Sequence, residues 1–236
     1  MAGTKENGIA VAQKSIAYYN EIAPQYDAML EKEAANNIVR KAVAESFTAS
    51  VKKGWVLDIG GGTGQDLQWL VGNDYKVIFC EPSAGMRKIA MQNTVANNSV
   101  IFLEGPDTDF MNWAIALPFD QKAEGALLNF AVLNCISNID VLFKQLSLIV
   151  KPGSRIVALI LSTDLKTLFR KSPGAAIKKL FFNAAATFTI QYQHSKQTVY
   201  NYTKKDIKKA AAPNFSIAQW EVKKGSGFAL VHLIKT

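Results

Sequence analysis

The densest chemical signal in the chain is Asp58-Ile59-Gly60-Gly61-Gly62-Thr63-Gly64, with four glycines in five positions behind the apolar run Trp55-Val56-Leu57. Residues without a Cβ let the backbone turn sharply and approach a ligand, and the helix that follows offers free N–H donors. That is the chemistry of a cofactor loop. The dinucleotide fingerprint G-x-G-x-x-G would need its last glycine at Gln65, counted from Gly60, or at Leu67, counted from Gly62, and it fails at both. A second acid, Glu81, closes the apolar run Lys76 to Cys80, where a carboxylate can accept from both vicinal hydroxyls of a ribose. Its position 21 residues after Gly60 suits a dinucleotide equally well, so the glycine pattern and the late start of the core decide between the two.

Other reactive residue types are sparse. The cysteines, Cys80 and Cys135, and the histidines, His194 and His232, show no metal-ligand spacing, and no metal is expected. Both cysteines lie in apolar stretches and read as buried thiols in a reducing cytoplasm.

The elements that must position these residues follow from periodicity. Ile16, Tyr19, Ile22 and Ala23, then Ile38, Val39, Ala42 and Val43, recur at helical spacing, with Pro24 interrupting the first run. Tyr19 and Tyr26, seven apart, fall on one helical face. Strands are predicted over Trp55–Ile59, Lys76–Cys80, Val100–Leu103, Ala123–Phe130 and Arg155–Leu161, separated by helical crossovers, which implies a parallel sheet covered on both faces. Ser83 can cap one crossover helix, and Asn138 or Asp140 can start another that Pro152-Gly153 ends. A lysine-rich helical stretch, Asp164 to Ala186, is split at Ser172-Pro173, and strand-like runs follow at Thr187–Gln193 and Thr198–Tyr202. Thr203 then caps a short helix to Ala212, and Phe215–Val222 with Phe228–Ile234 form a closing hairpin.

Charge divides the chain unevenly. Residues 1–150 carry 12 Lys and Arg against 16 Asp and Glu, and residues 151–236 carry 15 against 3, so the net +8 resides in the last third. A basic face of this kind suits nucleic acid, an anionic membrane or a merely solvated surface, and the last is favoured. Ile177, Leu180, Phe181 and Ala184 form an apolar stripe beside Lys178 and Lys179, which reads as a cap helix over the active-site mouth, with peripheral membrane contact through 164–186 as the alternative. No run is long enough to span a membrane.

Written as D-x-G-x-G-x-G over Asp58, Gly60, Gly62 and Gly64, the loop resembles that of the class I S-adenosylmethionine-dependent methyltransferases, and in particular their small-molecule, type 11/25-like members. Tyr19-Asn20-Glu21-Ile22-Ala23-Pro24-Gln25-Tyr26-Asp27 is similar to the lid segment that precedes the core in many of them. The resemblance implies one α/β domain over 1–236: a helical lid (1–50), a cofactor-binding core (51–163), a cap-like insertion (164–202), and a closing helix and hairpin (203–236). It implies a Rossmann-like three-layer sandwich whose seven-stranded, mostly parallel sheet runs 3-2-1-4-5-7-6 with the last strand antiparallel.

The resemblance also implies S-adenosyl-L-methionine as cofactor and S-adenosyl-L-homocysteine as product. Asp58, Gly60, Gly61, Gly62 and Gly64 would hold the methionine portion, and Glu81 the ribose, with Pro82, Met86, Asp107, Asn129 and Phe130 completing the site. Candidates for the acceptor side are Tyr19, Tyr26, Asn134, His194 and Tyr202. The end of strand four reads Asn129-Phe130-Ala131-Val132 instead of the Asn/Asp-Pro-Pro-Tyr/Phe of amino-directed nucleic-acid and protein methylases, which points to a small-molecule acceptor. Nucleic acid is not expected as a partner. Two alternatives stand beside this reading: an RNA methyltransferase using the basic last third, and a non-catalytic partner that binds the cofactor alone.

Overall fold

The computed structural model describes residues 2–31, 34–94, 98–113, 122–161, 186–224 and 226–236. Three helices come first: α1 (Ala2–Ile22), a 3-10 turn at Ala23–Gln25 where Pro24 breaks the run, α2 (Tyr26–Glu31) and α3 (Ala34–Ser50). The core then alternates β1 (Trp55–Ile59), α4 (Leu67–Gly72), β2 (Lys76–Cys80), α5 (Ala84–Asn93), β3 (Val100–Phe102), β4 (Ala123–Leu128), α6 (Val132–Cys135), α7 (Ile139–Ile149) and β5 (Val150–Leu161). A hairpin of β6 (Ala186–Tyr192) and β7 (Ser195–Asn201) follows, then α8 (Lys204–Ala211) and the closing β8 (Phe215–Lys223) and β9 (Phe228–Lys235).

The main sheet has seven strands in the order β3-β2-β1-β4-β5-β9-β8, with β9 antiparallel to both neighbours. Leaving out the separate β6–β7 pair, this is the expected 3-2-1-4-5-7-6 order. Right-handed crossovers put helices on both faces of such a sheet, so its central strands are apolar throughout. Val56, Leu57, Ala126, Leu127, Val157 and Ala158 are all fully buried. On one face α3 and α4 contribute Val43, Phe47 and Leu70; on the other α7 and α8 contribute Leu142, Phe143, Leu146 and Ile207.

Local chemistry explains the element boundaries. The Ser83 hydroxyl accepts from the Met86 N–H at 3.2 Å and starts α5. Thr203 and Asp206 form a reciprocal capping box at α8, satisfying two N–H groups that a helix start leaves free. Two predicted boundaries shift. Strand β4 ends at Leu128, because Phe130 and Ala131 take positive φ (48° and 66°), a region β conformation excludes. Pro152-Gly153 does not end α7 but lies within β5, where a register shift against β4 admits the extra residues. The lysine-rich stretch, its Ser172-Pro173 break and the Ile177–Ala184 stripe lie outside the described residues. No helix among the described residues is long and apolar enough to cross a membrane.

Candidate functional site

The carboxyl ends of β1, β2 and β4 open into a cavity of about 600 Å³, covered by α1, α2 and α3. Strand order reverses between β1 and β4, the place where an open α/β sheet leaves a crevice. Gly60, Gly61 and Gly62 form one wall and Glu81, Pro82 and Met86 the next; Asn129 and Phe130 line it from the end of β4.

Each loop glycine has its own reason. A Cβ on Gly60 (φ +64°) would lie 2.7 Å from Val132, and one on Gly61 would lie 2.2 Å from the Phe79 ring and 2.7 Å from the Asp58 carboxylate. At Gly62 (φ +60°) the nearest atom is Tyr26 Cε1 at 3.7 Å, so here the missing side chain opens the cavity itself. Gly64 (φ +80°) does not line the cavity; a Cβ there would meet that of Ala90 at 2.9 Å, and the residue serves helix packing.

Glu81 is held in place by the main chain. Its Oε2 accepts from the Gly62 N–H at 3.0 Å and its Oε1 from the Ser83 N–H at 2.7 Å. Each oxygen keeps a further lone pair, which suits a ligand with two adjacent hydroxyls. Burial raises its pKa to about 7, against the opposing pull of the Ser83 and Gly62 amides and Arg87. Asp58 is buried, with Oδ2 lacking any hydrogen-bond partner, and burial, reinforced by the charge of Asp66, pushes its pKa well up. It lies beneath Gly61 instead of in the wall. An orphaned buried carboxylate oxygen and a ribose-sized clamp at Glu81 fit the cofactor that the resemblance implies.

A raised carboxyl pKa favours the protonated fold, so the unliganded protein loses stability as pH rises from the ordinary carboxylate range through about 7. A ligand that needs the ionised Glu81 as a double acceptor shows the opposite trend. Between pH 6 and pH 8 the ionised fraction grows roughly tenfold, and cofactor affinity is expected to rise by about that factor. Calorimetric titrations across this range check it, with Glu81→Gln expected to flatten the profile.

The covering helices are fastened by polar residues, of which Asn20 and Asp27 lie in the lid-like segment and Arg40 carries no sequence signal. Arg40 of α3 pairs with Asp66 at 2.6 Å, and its guanidinium stacks 4.4 Å above the Phe130 ring. Asp66 also accepts from Trp69 Nε1 at 2.9 Å and Asn129 Nδ2 at 2.8 Å, which ties loop, lid and β4 together. Asp27 accepts from Thr63 Oγ1 (2.5 Å) and Gln65 Nε2 (2.6 Å), while Asn20 Oδ1 accepts from the Ser83 hydroxyl (2.8 Å) and the Gly85 N–H (2.9 Å).

The acceptor-side candidates separate. Tyr19 and Tyr26 both line the cavity, on different helices and not on one helical face, with ring centroids 6.3 Å apart. Cys135 and Cys80 also line it: Cys135 is half-buried, with its thiol 3.3 Å from the Tyr19 hydroxyl, and Cys80 is buried. Asn134, Tyr202 and His194 are not in the lining. The Asn134 amide is consumed by the Leu161 and Tyr200 carbonyls and the Leu161 N–H, a clip between α6, β5 and β7. Tyr202 donates to the Ile136 carbonyl at 2.6 Å from behind the wall, and His194 is exposed at the β6–β7 turn. Asp107 is exposed outside the cavity, and Asp109, two residues on, lines it instead. Among the described residues no group of three His, Cys, Asp or Glu is placed to hold a metal ion.

Residues 30–212 match the family model described as a methyltransferase domain. A search of curated proteins found no match. Among solved structures, the chain is similar to DhpI in a complex with SAM and HEP (TM-score 0.72, 16% identity, covering 96% of this chain and 98% of that one). It is also similar to the 1,6-didemethyltoxoflavin-N1-methyltransferase of Burkholderia thailandensis, solved with 1,6-didemethyltoxoflavin and S-adenosylhomocysteine (TM-score 0.67, 13% identity, 97% and 90% covered). A third such structure is an S-adenosylmethionine-dependent methyltransferase from Clostridium acetobutylicum (TM-score 0.60, 15% identity, 92% and 98% covered).

Proposed function

The chain belongs to the class I S-adenosylmethionine-dependent methyltransferases, and on that premise we propose that it transfers the methyl group to a small molecule enclosed beneath the lid. The observation that carries the reading is the covered cavity: about 600 Å³, walled by Glu81, the glycine loop, Tyr19, Val132, Cys135 and Ile136. A space of this size suits a cofactor with a compact acceptor and leaves little room for a polymer.

In this reading Glu81 binds the ribose hydroxyls, Gly60 to Gly62 let the main chain approach the methionine portion, and Asp58 supports the loop from beneath Gly61. Bound there, the cofactor supplies an electrophilic methyl on a sulfonium. The protein orients the acceptor in line with it and excludes water, which lowers the barrier chiefly through alignment. Asn129 and Phe130 shape a further part of the wall, with Phe130 braced by Arg40. The 1,6-didemethyltoxoflavin-N1-methyltransferase, which has a similar fold and holds 1,6-didemethyltoxoflavin with S-adenosylhomocysteine, supports a small acceptor.

The test is incubation with methyl-labelled S-adenosylmethionine and, separately, a small-molecule extract, total RNA and total protein. Label is expected in the small-molecule fraction; label confined to RNA or protein would reverse the assignment.

A further inference from the structure

Helix α8 turns Ile207 and Ala211, both fully buried, into the core and leaves Lys204, Lys205, Lys208 and Lys209 exposed on its outer side. Among the described residues none of these four lysines takes part in an ion pair. Asp206, the one acid on the helix, turns its carboxylate to the cap, where it accepts from the Thr203 N–H at 2.7 Å and the Thr203 hydroxyl at 2.6 Å. The arrangement works against the helix that carries it. Lys204 with Lys208, and Lys205 with Lys209, are like charges one turn apart, and Lys204 and Lys205 stand in the first turn, where the helix dipole is positive. Local rules of this kind are broken where a surface serves something other than the fold.

The neighbours of α8 add apolar residues to the same side. Both α7 and β8 pack against it. Leu148 of α7 is 47% exposed, on the side away from the Leu142, Leu146 and Ile149 stripe that meets the core. Val222 of β8 is 58% exposed and lies two residues beyond Trp220, so it shares the sheet face on which Trp220 packs against the same core cluster as Ile207.

We propose that this outer face seats the protein on an anionic lipid surface, with the four lysines at the headgroups and Leu148 and Val222 entering the interfacial layer. The inference goes beyond the methyltransferase reading and does not depend on it. A lysine cluster on an amphipathic helix attracts acidic headgroups as a set of point charges. Nucleic-acid binding draws instead on arginine forks and stacking aromatics, and α8 carries neither. The same bias holds across residues 151–236, where 13 Lys stand against 2 Arg. A helix flanked by exposed apolar side chains suits a broad charged surface with an apolar layer beneath it. The seat also adjoins the cavity wall: Tyr202, two residues before Lys204, donates to the carbonyl of Ile136, which lines the cavity.

The experiment is cosedimentation of the full chain with phosphatidylcholine vesicles, with and without phosphatidylserine, at low and high salt. Binding is expected only to the vesicles that contain phosphatidylserine, and to weaken at high salt. Replacing all four lysines (K204Q, K205Q, K208Q and K209Q) should lower that affinity roughly fivefold per lysine, several hundredfold together. Because the substitutions remove like-charge pairs, this variant should melt no lower than the wild type. Leu148→Ser with Val222→Ser should weaken vesicle binding roughly tenfold, an effect no soluble polyanion would show. Binding indifferent to phosphatidylserine, binding retained by the glutamine variant, or no loss in the serine variant overturns the proposal. Binding to RNA that the glutamine variant loses, without any binding to vesicles, overturns it in favour of a nucleic-acid partner.

Discussion

Gly61→Ala is expected to weaken cofactor binding by roughly 100-fold or more and to destabilise the unliganded fold by about 1–3 kcal/mol. The added methyl would stand 2.2 Å from Phe79 Cε2 and 2.7 Å from Asp58 Oδ2. Neither neighbour can retreat. Phe79 is fully buried and packed against Phe102 with centroids 5.1 Å apart, and Asp58 is sealed beneath the loop. The loop itself must lift, breaking the Gly60 N–H bond to the Cys80 carbonyl (2.7 Å) and drawing Gly62 away from Glu81. For a chain of this length that stability loss lowers the melting temperature by roughly 2–10 °C. Thermal melts and calorimetric titration of the purified variant check both parts. Gly62→Ala provides the contrast: its Cβ would meet only Tyr26 at 3.7 Å, so the unliganded fold bears backbone strain alone.

Asp66→Ala should be the most destabilising single change in the lid attachment, at about 3 kcal/mol. Removing one member of a buried ion pair leaves the other without compensation. Here it strands three donors at once: Arg40, with its side chain 19% exposed, the Trp69 indole N–H and the Asn129 amide. The partial exposure of Arg40 places the effect at the lower end of the range for such deletions. Arg40→Ala should do less, because Asp66 keeps two neutral donors, and the double variant should lose less than the sum of the two. Faster amide exchange in α3 is the accompanying sign that the lid has come loose, and turnover should fall with it because the acceptor loses its cover.

How much of this was legible in the sequence depended on the range of the interaction. Strands β1 and β2 have the predicted limits, since a short apolar run bounded by Gly54 and Gly60 or by Asp74 and Pro82 has few other ways to fold. Ser83 and Thr203 act as the caps their types suggest, because capping is settled within three residues. The fastenings of the lid are another matter. Asp27, Arg40 and Asn20 find partners 26 to 65 residues away; the lid-like segment marks Asn20 and Asp27 but not their partners, and Arg40, a polar residue on a helix, gives no hint that it will be tied down.

The β4 elbow was hidden for a related reason. Positive φ at Phe130 and Ala131 would announce itself in sequence through glycine, and these residues hold it without glycine's freedom. That elbow also redirects the chain so that Asn134 turns away from the cavity to clip β5 and β7, while Cys135 turns toward it. The resemblance makes Asn134 the candidate for the site, and the apolar surroundings of Cys135 in the sequence read as those of a buried thiol.

The most direct test of the central claim is a calorimetric titration of S-adenosylhomocysteine into the wild-type chain and Glu81→Ala at pH 8. One molecule is expected to bind per wild-type chain, with an affinity roughly 100-fold lower in the variant, the loss of two hydrogen bonds to a charged acceptor. No binding by the wild type, or equal binding by both proteins, would contradict it.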